Sequence, residues 1–401
     1  MAADPGAAAP TGLSRSLAFR FGGFYFVYFA TLGAIMPYWS LYLQSLGLAA
    51  LQIGVLVGAI QITKIFAPNV WGPLADRSGR RMAVARGTAL ATLLAFLPLY
   101  GLDTFWAMLP VVAGFAFFHA GPLPLVEGAV WDVVQRYRAH YGRLRLWGSV
   151  GFIATAVGLG PVLDHLGMVR LLDFLSVLLL AVFAFAFLVP EPGHSQGAAG
   201  GGSLLGTLRR RPVWGFFATT FLMQASHGAY YGFFSILMAD HGYSGLAIGL
   251  LWGLGVAAEV VVFVYTDQLV RRFGVRAMLA ASLLLAALRW WAIGTTDALA
   301  WLLLAQILHA ATFATFHAAA ARHTHDLFPG AQRSSGFALY SSLAFGFGGG
   351  VGSLLSGLLW DRIGGAATFW VAAGLALAGL VVMRATGVAR AEPRAGAAGR
   401  S

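Results

Sequence analysis

No cysteine occurs in the 401-residue chain, which excludes disulfides and thiol chemistry. Charge is scarce: 10% of residues are Asp, Glu, Lys or Arg, and Lys64 is the single lysine. Alternation of apolar and polar residues at period two is missing from the long apolar runs, which excludes a membrane β-barrel. Residues 1–18 lack an apolar core with a cleavage site before Phe19, so no removable signal peptide is expected. The first apolar stretch then acts as an uncleaved insertion signal. Histidines cluster late in the chain (His309, His317, His323, His325), but no acid pairs with them inside the span and no nucleophile–base set accompanies them. That argues against a metal site and a membrane enzyme. Neither tail is long enough for a signalling domain, which argues against a sensor.

What is abundant is apolar surface. Apolar residues make up 59% of the chain, mean hydropathy is +0.75, and 52 residues are glycine. A soluble protein cannot hide that much apolar surface, so the chain reads as an integral membrane protein. Twelve spans are predicted, at 19–43, 51–71, 82–101, 104–127, 146–166, 170–189, 213–238, 246–267, 276–294, 299–321, 334–359 and 365–384. Pro37, Pro68, Pro122 and Pro124 are expected to kink their spans. Gly346, Gly348, Gly349, Gly350 and Gly352 crowd span eleven and permit close helix approach.

The net charge of +11 is an orientation signal. Of the 26 Lys and Arg residues, only Arg170 and Arg362 fall in odd-numbered loops, and Lys64 and Arg289 lie inside spans. All the others belong to the N-terminus, the even-numbered loops, the C-terminus or the adjoining span ends. The positive-inside rule then places both termini in the cytoplasm. Such arginines contact lipid headgroups and are not a nucleic-acid footprint.

The chain also repeats itself. Displaced by 195 residues, "LQIGVLVG" at 51–58 falls on "LAIGLLWG" at 246–253, Gly33 on Gly228, Arg77 on Arg272, Gly79 on Gly274 and Arg81 on Arg276. Between the copies lies the Gly-rich "PEPGHSQGAAGGGSLLGTLRRRP", which reads as a flexible linker. The expected organisation is an all-α membrane protein with twelve transmembrane helices in two pseudo-symmetric six-helix halves. Its parts are a cytoplasmic tail (1–18), the first half (19–189), the linker (190–212), the second half (213–385) and a cytoplasmic tail (386–401).

Charge inside a span is expensive, about 2.5–3.5 kcal/mol at mid-membrane on insertion scales, and so marks a polar interior. Lys64, Glu127, Glu259 and Arg289 lie in or at the end of spans, and the repeat sets Lys64 opposite Glu259. Lys64 or Arg289 can hold a substrate carboxylate. Tyr28, Tyr38, Trp39, Tyr230, Tyr231 and Phe234, on spans one and seven, can stack on an aromatic ring. Gln224 and His227 add polar contacts at i, i+3 spacing. Asn69 is the lone asparagine of the spans, which disfavours a heavily hydroxylated ligand.

One short stretch is far from apolar. "GPLADRSGRR" at 72–81 carries four charges in ten residues, in the segment joining spans two and three. It resembles the signature loop of the major facilitator superfamily, and the twelve-span, two-half layout of that family covers the chain. The resemblance implies a transporter in which Gly72, Asp76, Arg77, Gly79, Arg80 and Arg81 form a gate whose charge contacts close the cytoplasmic side. In the second copy Arg271 stands where Asp76 maps.

Glu259 in "AEVVVF", Arg289 in "ALRWW" and His309 in "QILHAATF" are similar to the lactose permease branch of that superfamily. The resemblance implies a proton-coupling set of Glu259, Arg289 and His309, although the branch's second acid is Thr312 here. Glu127 and Arg145, 18 residues apart, match the same branch and imply a substrate-contacting charge bridge. "RLRLWGSV", "GAYYGFFS" and "LHAATFATFHAAAAR" resemble the 3-phenylpropionate permease subfamily.

The expected function is therefore proton-coupled symport of a small organic acid by alternating access. The expected substrate contacts are Lys64, Glu127, Arg145, Gln224, His227 and Tyr231. No cofactor is expected beyond the proton gradient, and the expected unit is a monomer in the bacterial inner membrane. Alternatives on the same fold are export, or sugar or nucleoside import. Reporter tags at both termini and near Gly200 are expected on the cytoplasmic side; a periplasmic reporter that is active at Gly200 overturns this topology.

Overall fold

The computed structural model describes residues 13–191 and 205–389. The outer parts of both expected tails and the centre of the expected linker, with Gly200, lie outside the described residues. Among the described residues every regular element is helical. Nine stretches are long and apolar enough to cross a membrane. Six of them precede the linker: α1 (Arg15–Ser45), α2 (Ala50–Ser78), α3 (Arg81–Gly101), α4 (Phe105–Tyr137), α5 (Tyr141–Leu166) and α6 (Met168–Leu188).

After the linker comes α7 (Arg211–Asp240), which is less apolar because Thr219, Thr220, Gln224, Ser226 and His227 lie along it, all buried. Gly245–Thr295 is broken at Gly274, giving α8 (245–273) and α9 (275–295). α10 (Leu299–Leu327) follows, and Arg333–Thr386 is broken at Gly364, giving α11 (333–363) and α12 (365–386). Twelve spanning helices result.

The helices outrun the expected spans, because amphipathic turns continue past the apolar stretch. α4 reaches Tyr137, and α5 starts at Tyr141. The sharpest correction concerns 72–81, read from sequence as a loop. It is helical as far as Ser78; the turn is only Gly79, at φ +62°, followed by Arg80. Glycine supplies the left-handed residue that ends α2 at no steric cost. Pro68 and Pro73 sit inside α2 without ending it. In α4 the break falls at Ala120–Gly121, just before Pro122.

Backbone geometry bears out the repeat. Gly79 and Gly274 are both left-handed, as are Gly47 and Gly242, again 195 residues apart. Gly33 lets α1 approach the α5 backbone at Phe152, and Gly228 lets α7 approach the α11 backbone at Gly352. The two halves also meet through equivalent surfaces. A Cβ on Gly54 would lie 2.6 Å from the Ser353 carbonyl oxygen, and one on Gly58 3.0 Å from that of Gly350, so α2 packs on α11. Their counterparts Gly249 and Gly253 pack α8 on α5 at Ala156 and Val157. Lipid offers no hydrophobic drive to join helices, so association relies on such close van der Waals approach.

These contacts lie toward one end of the bundle, the arginine-poor end. There Gly160 and Gly245 meet backbone to backbone. The Asp164 carboxylate accepts a hydrogen bond from the Gly245 N–H at 2.8 Å, and Tyr38 donates to the Ala156 carbonyl. A buried core continuous through both halves includes Leu56, Phe152, Leu163 and Ile248. At the arginine-rich end the first half has a separate core of its own, with Phe21, Ala75, Met82, Val130 and Leu144. The bundle is thus sealed at the arginine-poor end and parted at the other.

A side chain at Gly160 has nowhere to go but into Gly245. Gly160→Leu is expected to shift the population toward a conformer parted at the arginine-poor end. The cysteine-free chain allows spin labels at Val169→Cys and Leu246→Cys, and their separation should grow by ~5 Å. An unchanged distance distribution would show that this seal does not depend on Gly160.

Candidate functional site

The most densely bonded polar cluster lies in the second half, among α7, α8, α9 and α10. Arg289 of α9 is 0% exposed. Its Nη1 donates to His309 Nδ1 at 2.8 Å and to Thr312 Oγ1 at 3.4 Å, and its Nη2 donates to Gln306 Oε1 at 3.3 Å. The rings of Tyr230 and Trp290 lie against the guanidinium at 4.3 and 4.4 Å. Tyr230 also donates to Gln306 Oε1 at 2.8 Å.

His309 Nε2 lies 2.6 Å from Glu259 Oε1. A guanidinium only donates, so His309 Nδ1 is the acceptor and Nε2 carries the proton that it gives to Glu259. Arg289, His309 and Glu259 form a directed hydrogen-bond chain.

Local structure explains how these groups reach one another. His309, Phe313 and His317 repeat at i, i+4, i+8 on one face of α10, with Phe313 stacked on both imidazoles. The ladder of α10 slips to a π register over Ala311–Thr315, directly after His309. Such bulges re-aim side chains and are frequent at functional sites. Gly255 of α8 faces His309 and Gln306; a Cβ there would lie 3.2 Å from the imidazole. Its bare backbone lets the α10 polar face close on α8, one turn from Glu259.

His227 of α7 sits edge-on to Trp290, with its ring 6.4 Å from that of His309. Its Nδ1 is held by the Met223 carbonyl at 2.8 Å and its Nε2 has no partner. Tyr231, half-buried, lies beside His227. Gln224 is buried one turn away, where α7 passes Gly348. Glu259, Arg289, His309, His227 and Tyr231 are therefore one neighbourhood.

The first-half residues form separate groups. Lys64 Nζ donates to Gln61 Oε1 at 2.6 Å. Nearby, His119 stacks on Tyr28 at 4.7 Å, and Tyr28 donates to the His119 carbonyl. Lys64 and Glu259, set opposite by the repeat, are each bonded within their own half. Glu127 accepts from the Tyr141 hydroxyl at 3.2 Å. Arg145 sits 3.8 Å over the face of Phe29.

Among the described residues Glu127 and Arg145 form no direct ion pair, which corrects the expected bridge: the aromatic face of Phe29 and the Tyr141 hydroxyl have taken their places. Arg145 nevertheless lies within electrostatic reach of both Glu127 and, across the halves, Glu259. The charged and titratable neighbours of Glu259 are thus His309, Arg289, Arg145 and the tyrosines 230 and 231.

At the arginine-rich end, Asp76 pairs with Arg81 at 3.2 Å while remaining 64% exposed. Both line a cavity of about 220 Å³ between α2 and α4, together with Pro68, Trp71, Gly72 and Gly128. A Cβ on Gly128 would lie 2.6 Å from Arg81 Nη1, so this glycine makes room for the guanidinium. Arg77, Gly79 and Arg80 are exposed. The Asp76–Arg81 pair is confined to the first half, as befits a bundle parted at this end.

Three participants escaped sequence reading: Gln306, Gln61 and His119. Gln306 sits at helical spacing from a singled-out residue (i−3 of His309) and His119 of α4 meets Tyr28 of α1, but uncharged amides and a lone histidine carry no signal until their neighbours are known.

The chain matches the model of the MFS_1 like family over residues 18–371. It is 34% identical over 360 residues to the "Probable 3-phenylpropionic acid transporter" of Escherichia coli (strain K12), covering 88% of this chain and 93% of that protein. It is 27% identical over 342 residues to the maltose permease of Geobacillus stearothermophilus, covering 84% of this chain and 86% of that one. The crystal structure of the nucleoside transporter NupG superposes with a TM-score of 0.82 at 17% identity, covering 92% of this chain and 98% of that one. Relatives and fold agree on a membrane transporter that is not an enzyme and acts on a small molecule, and the chain belongs to the MFS_1-like family of the major facilitator superfamily.

Proposed function

We propose that this transporter is a proton-coupled symporter of small organic acids, with an aromatic acid of the phenylpropionate type as substrate. Both termini then face the cytoplasm of a bacterial inner membrane, and the conformer described here is open inward. The observation that carries the reading is the buried chain Arg289–His309–Glu259, with links of 2.8 and 2.6 Å.

The chain couples charge to protonation by simple hydrogen-bond accounting. With Glu259 ionised, both links of the chain are satisfied: Arg289 Nη1 donates to His309 Nδ1, and His309 Nε2 donates to Glu259. A proton on Glu259 Oε1, the oxygen that faces His309, makes that oxygen a donor. It then needs the lone pair of His309 Nε2, which forces a proton onto Nδ1, facing the donors of Arg289. The chain breaks, and the buried Arg289 Nη1 loses its imidazole acceptor, a costly state. A substrate carboxylate answers that need, and favours it in two oxygens at once. Loading the proton therefore promotes binding of the anion. Release of both restores the resting chain.

Lys64 supports the same reading. It is a second intramembrane cation whose partner is a neutral amide. The name of the Escherichia coli relative supports an aromatic acid. The rings of Tyr230, Tyr231 and Trp252 line α7 and α8 beside Arg289. The maltose and nucleoside transporters among similar proteins keep a sugar or nucleoside as the alternative. Against it stands the sparse supply of hydroxyl partners, with Asn69 the lone asparagine.

In this scheme the gate residues Gly72, Asp76, Arg77, Gly79, Arg80 and Arg81 close the cytoplasmic end when the halves rock together. Glu127, Arg145, Gln224, His227 and Tyr231 contribute to the pathway walls.

Glu259→Gln tests the coupling. It mimics a permanently protonated carboxyl, so uphill accumulation driven by a proton gradient should vanish. Exchange of labelled for unlabelled substrate needs no deprotonation and should persist within about threefold of wild type. Both are measured in the same vesicles, with and without a protonophore. Accumulation that survives and is still collapsed by the protonophore places the proton elsewhere. Loss of exchange together with accumulation makes Glu259 a binding or structural residue.

A further inference from the structure

Arg289 is a buried cation without a carboxylate of its own. Its nearest acid, Glu259, is taken up by the far nitrogen of His309. The side chains that do touch the guanidinium are His309, Thr312, Gln306 and two aromatic faces, all neutral. Its Nε has no partner at all.

Gln306 is the informative member of this set. It is 0% exposed. Its Oε1 accepts from Arg289 Nη2 at 3.3 Å and from the Tyr230 hydroxyl at 2.8 Å. Its Nε2 is buried and bonded to nothing. A glutamate has the same shape. It would accept both hydrogen bonds more strongly, would remove the orphaned amide donor, and would neutralise the guanidinium. On local stability alone a carboxylate is the better residue here. What an amide preserves, and a carboxylate would destroy, is the unspent charge of Arg289. Local rules broken without local compensation mark functional positions.

We infer that Gln306 is a specificity-determining residue: by giving Arg289 a neutral acceptor, it reserves the guanidinium charge for the carboxylate of the substrate and so selects organic anions over their neutral analogues. This rests on the reading that the substrate is an organic acid held at Arg289, and it adds the residue that enforces that choice. His227 Nε2, also buried and unpartnered, belongs to the same neighbourhood and offers a further polar contact once an anion is present. Because Arg289 is covered by the Tyr230 and Trp290 faces here, the anion reaches it in a conformer where those rings have moved.

The test uses the full chain in proteoliposomes and pairs of probes that differ only in charge. The pairs are 3-phenylpropionate and 3-phenylpropanamide, butyrate and butyramide, and gluconate and gluconamide. Each is scored by competition in counterflow. Wild type should prefer the carboxylate by about tenfold or more in at least one pair. Gln306→Glu should lower that preference by about tenfold or more, chiefly by weakening the carboxylate. Gln306→Leu, which brings no charge, should keep the preference. If Gln306→Glu fails to fold, Thr312→Glu places a carboxylate at the other neutral neighbour of Arg289, and the same loss is expected.

An unchanged preference in the folded glutamate variant overturns the inference. So does a wild type that favours the amide in every pair. A preference seen only in the butyrate or gluconate pair, and lost in Gln306→Glu, upholds the selectivity role of Gln306 while removing the aromatic substrate.

Discussion

Lipid cannot solvate a charge, and much of this molecule follows from that constraint. A buried ion in the bilayer must be met by protein groups or by what the protein carries. Arg289 is met by an imidazole, an amide, a hydroxyl and two aromatic faces, and Lys64 by one amide oxygen. Neither has a carboxylate in contact. Glu259, by contrast, has the one bond that ties it to His309. The interior therefore holds two cations with neutral partners and an acid committed to a histidine. That imbalance is the feature on which the proposed coupling of a proton to an organic anion rests.

Moving such a site between two faces requires halves that seal tightly yet separate. Glycine provides both. At Gly54 and Gly58 of α2 against α11, and at Gly249 of α8 against α5, backbone approaches backbone directly. Close approach gives strong short-range dispersion without interlocked side chains that would have to be disengaged. The polar ties across the seal are few: the Asp164 carboxylate on the Gly245 N–H, and the Tyr38 hydroxyl on the α5 and α8 carbonyls. Opening this end exchanges such bonds for water. The other end carries charge, with Asp76 paired to Arg81 within one half and exposed. One end is sealed by shape and the other carries the charged signature stretch.

The charged stretch 72–81 is mostly helix in three dimensions. Most of 72–81 is the last turns of α2, and only Gly79 and Arg80 make the bend. Arg81 opens α3, reaches back to Asp76 and lies over Gly128 of α4. The stretch thus ties three helices into one rigid corner, which suits a part that moves as a body with its half.

The sequence by itself determined the class and the outline: membrane insertion from apolar runs, and duplication from a 195-residue displacement whose turn glycines, Gly79 and Gly274, are both left-handed. These properties are local or periodic, and each is written in residue types along the chain. It also singled out Glu259 and Arg289, because a charge inside a span is conspicuous whatever surrounds it, and His309 through the resemblance of its surrounding stretch. It could not decide partners. That Lys64 bonds Gln61 and leaves Glu259 alone, that Arg145 lies on Phe29 while Glu127 bonds Tyr141, and that Gln306 meets Arg289 all depend on helix rotation and crossing. Those are set by close contacts between residues tens to hundreds of positions apart, such as Gly255 against His309 and Gly228 against Gly352. An uncharged amide like Gln306 has no signature of its own. Only the tertiary structure, by placing it against a buried guanidinium, makes its neutrality meaningful.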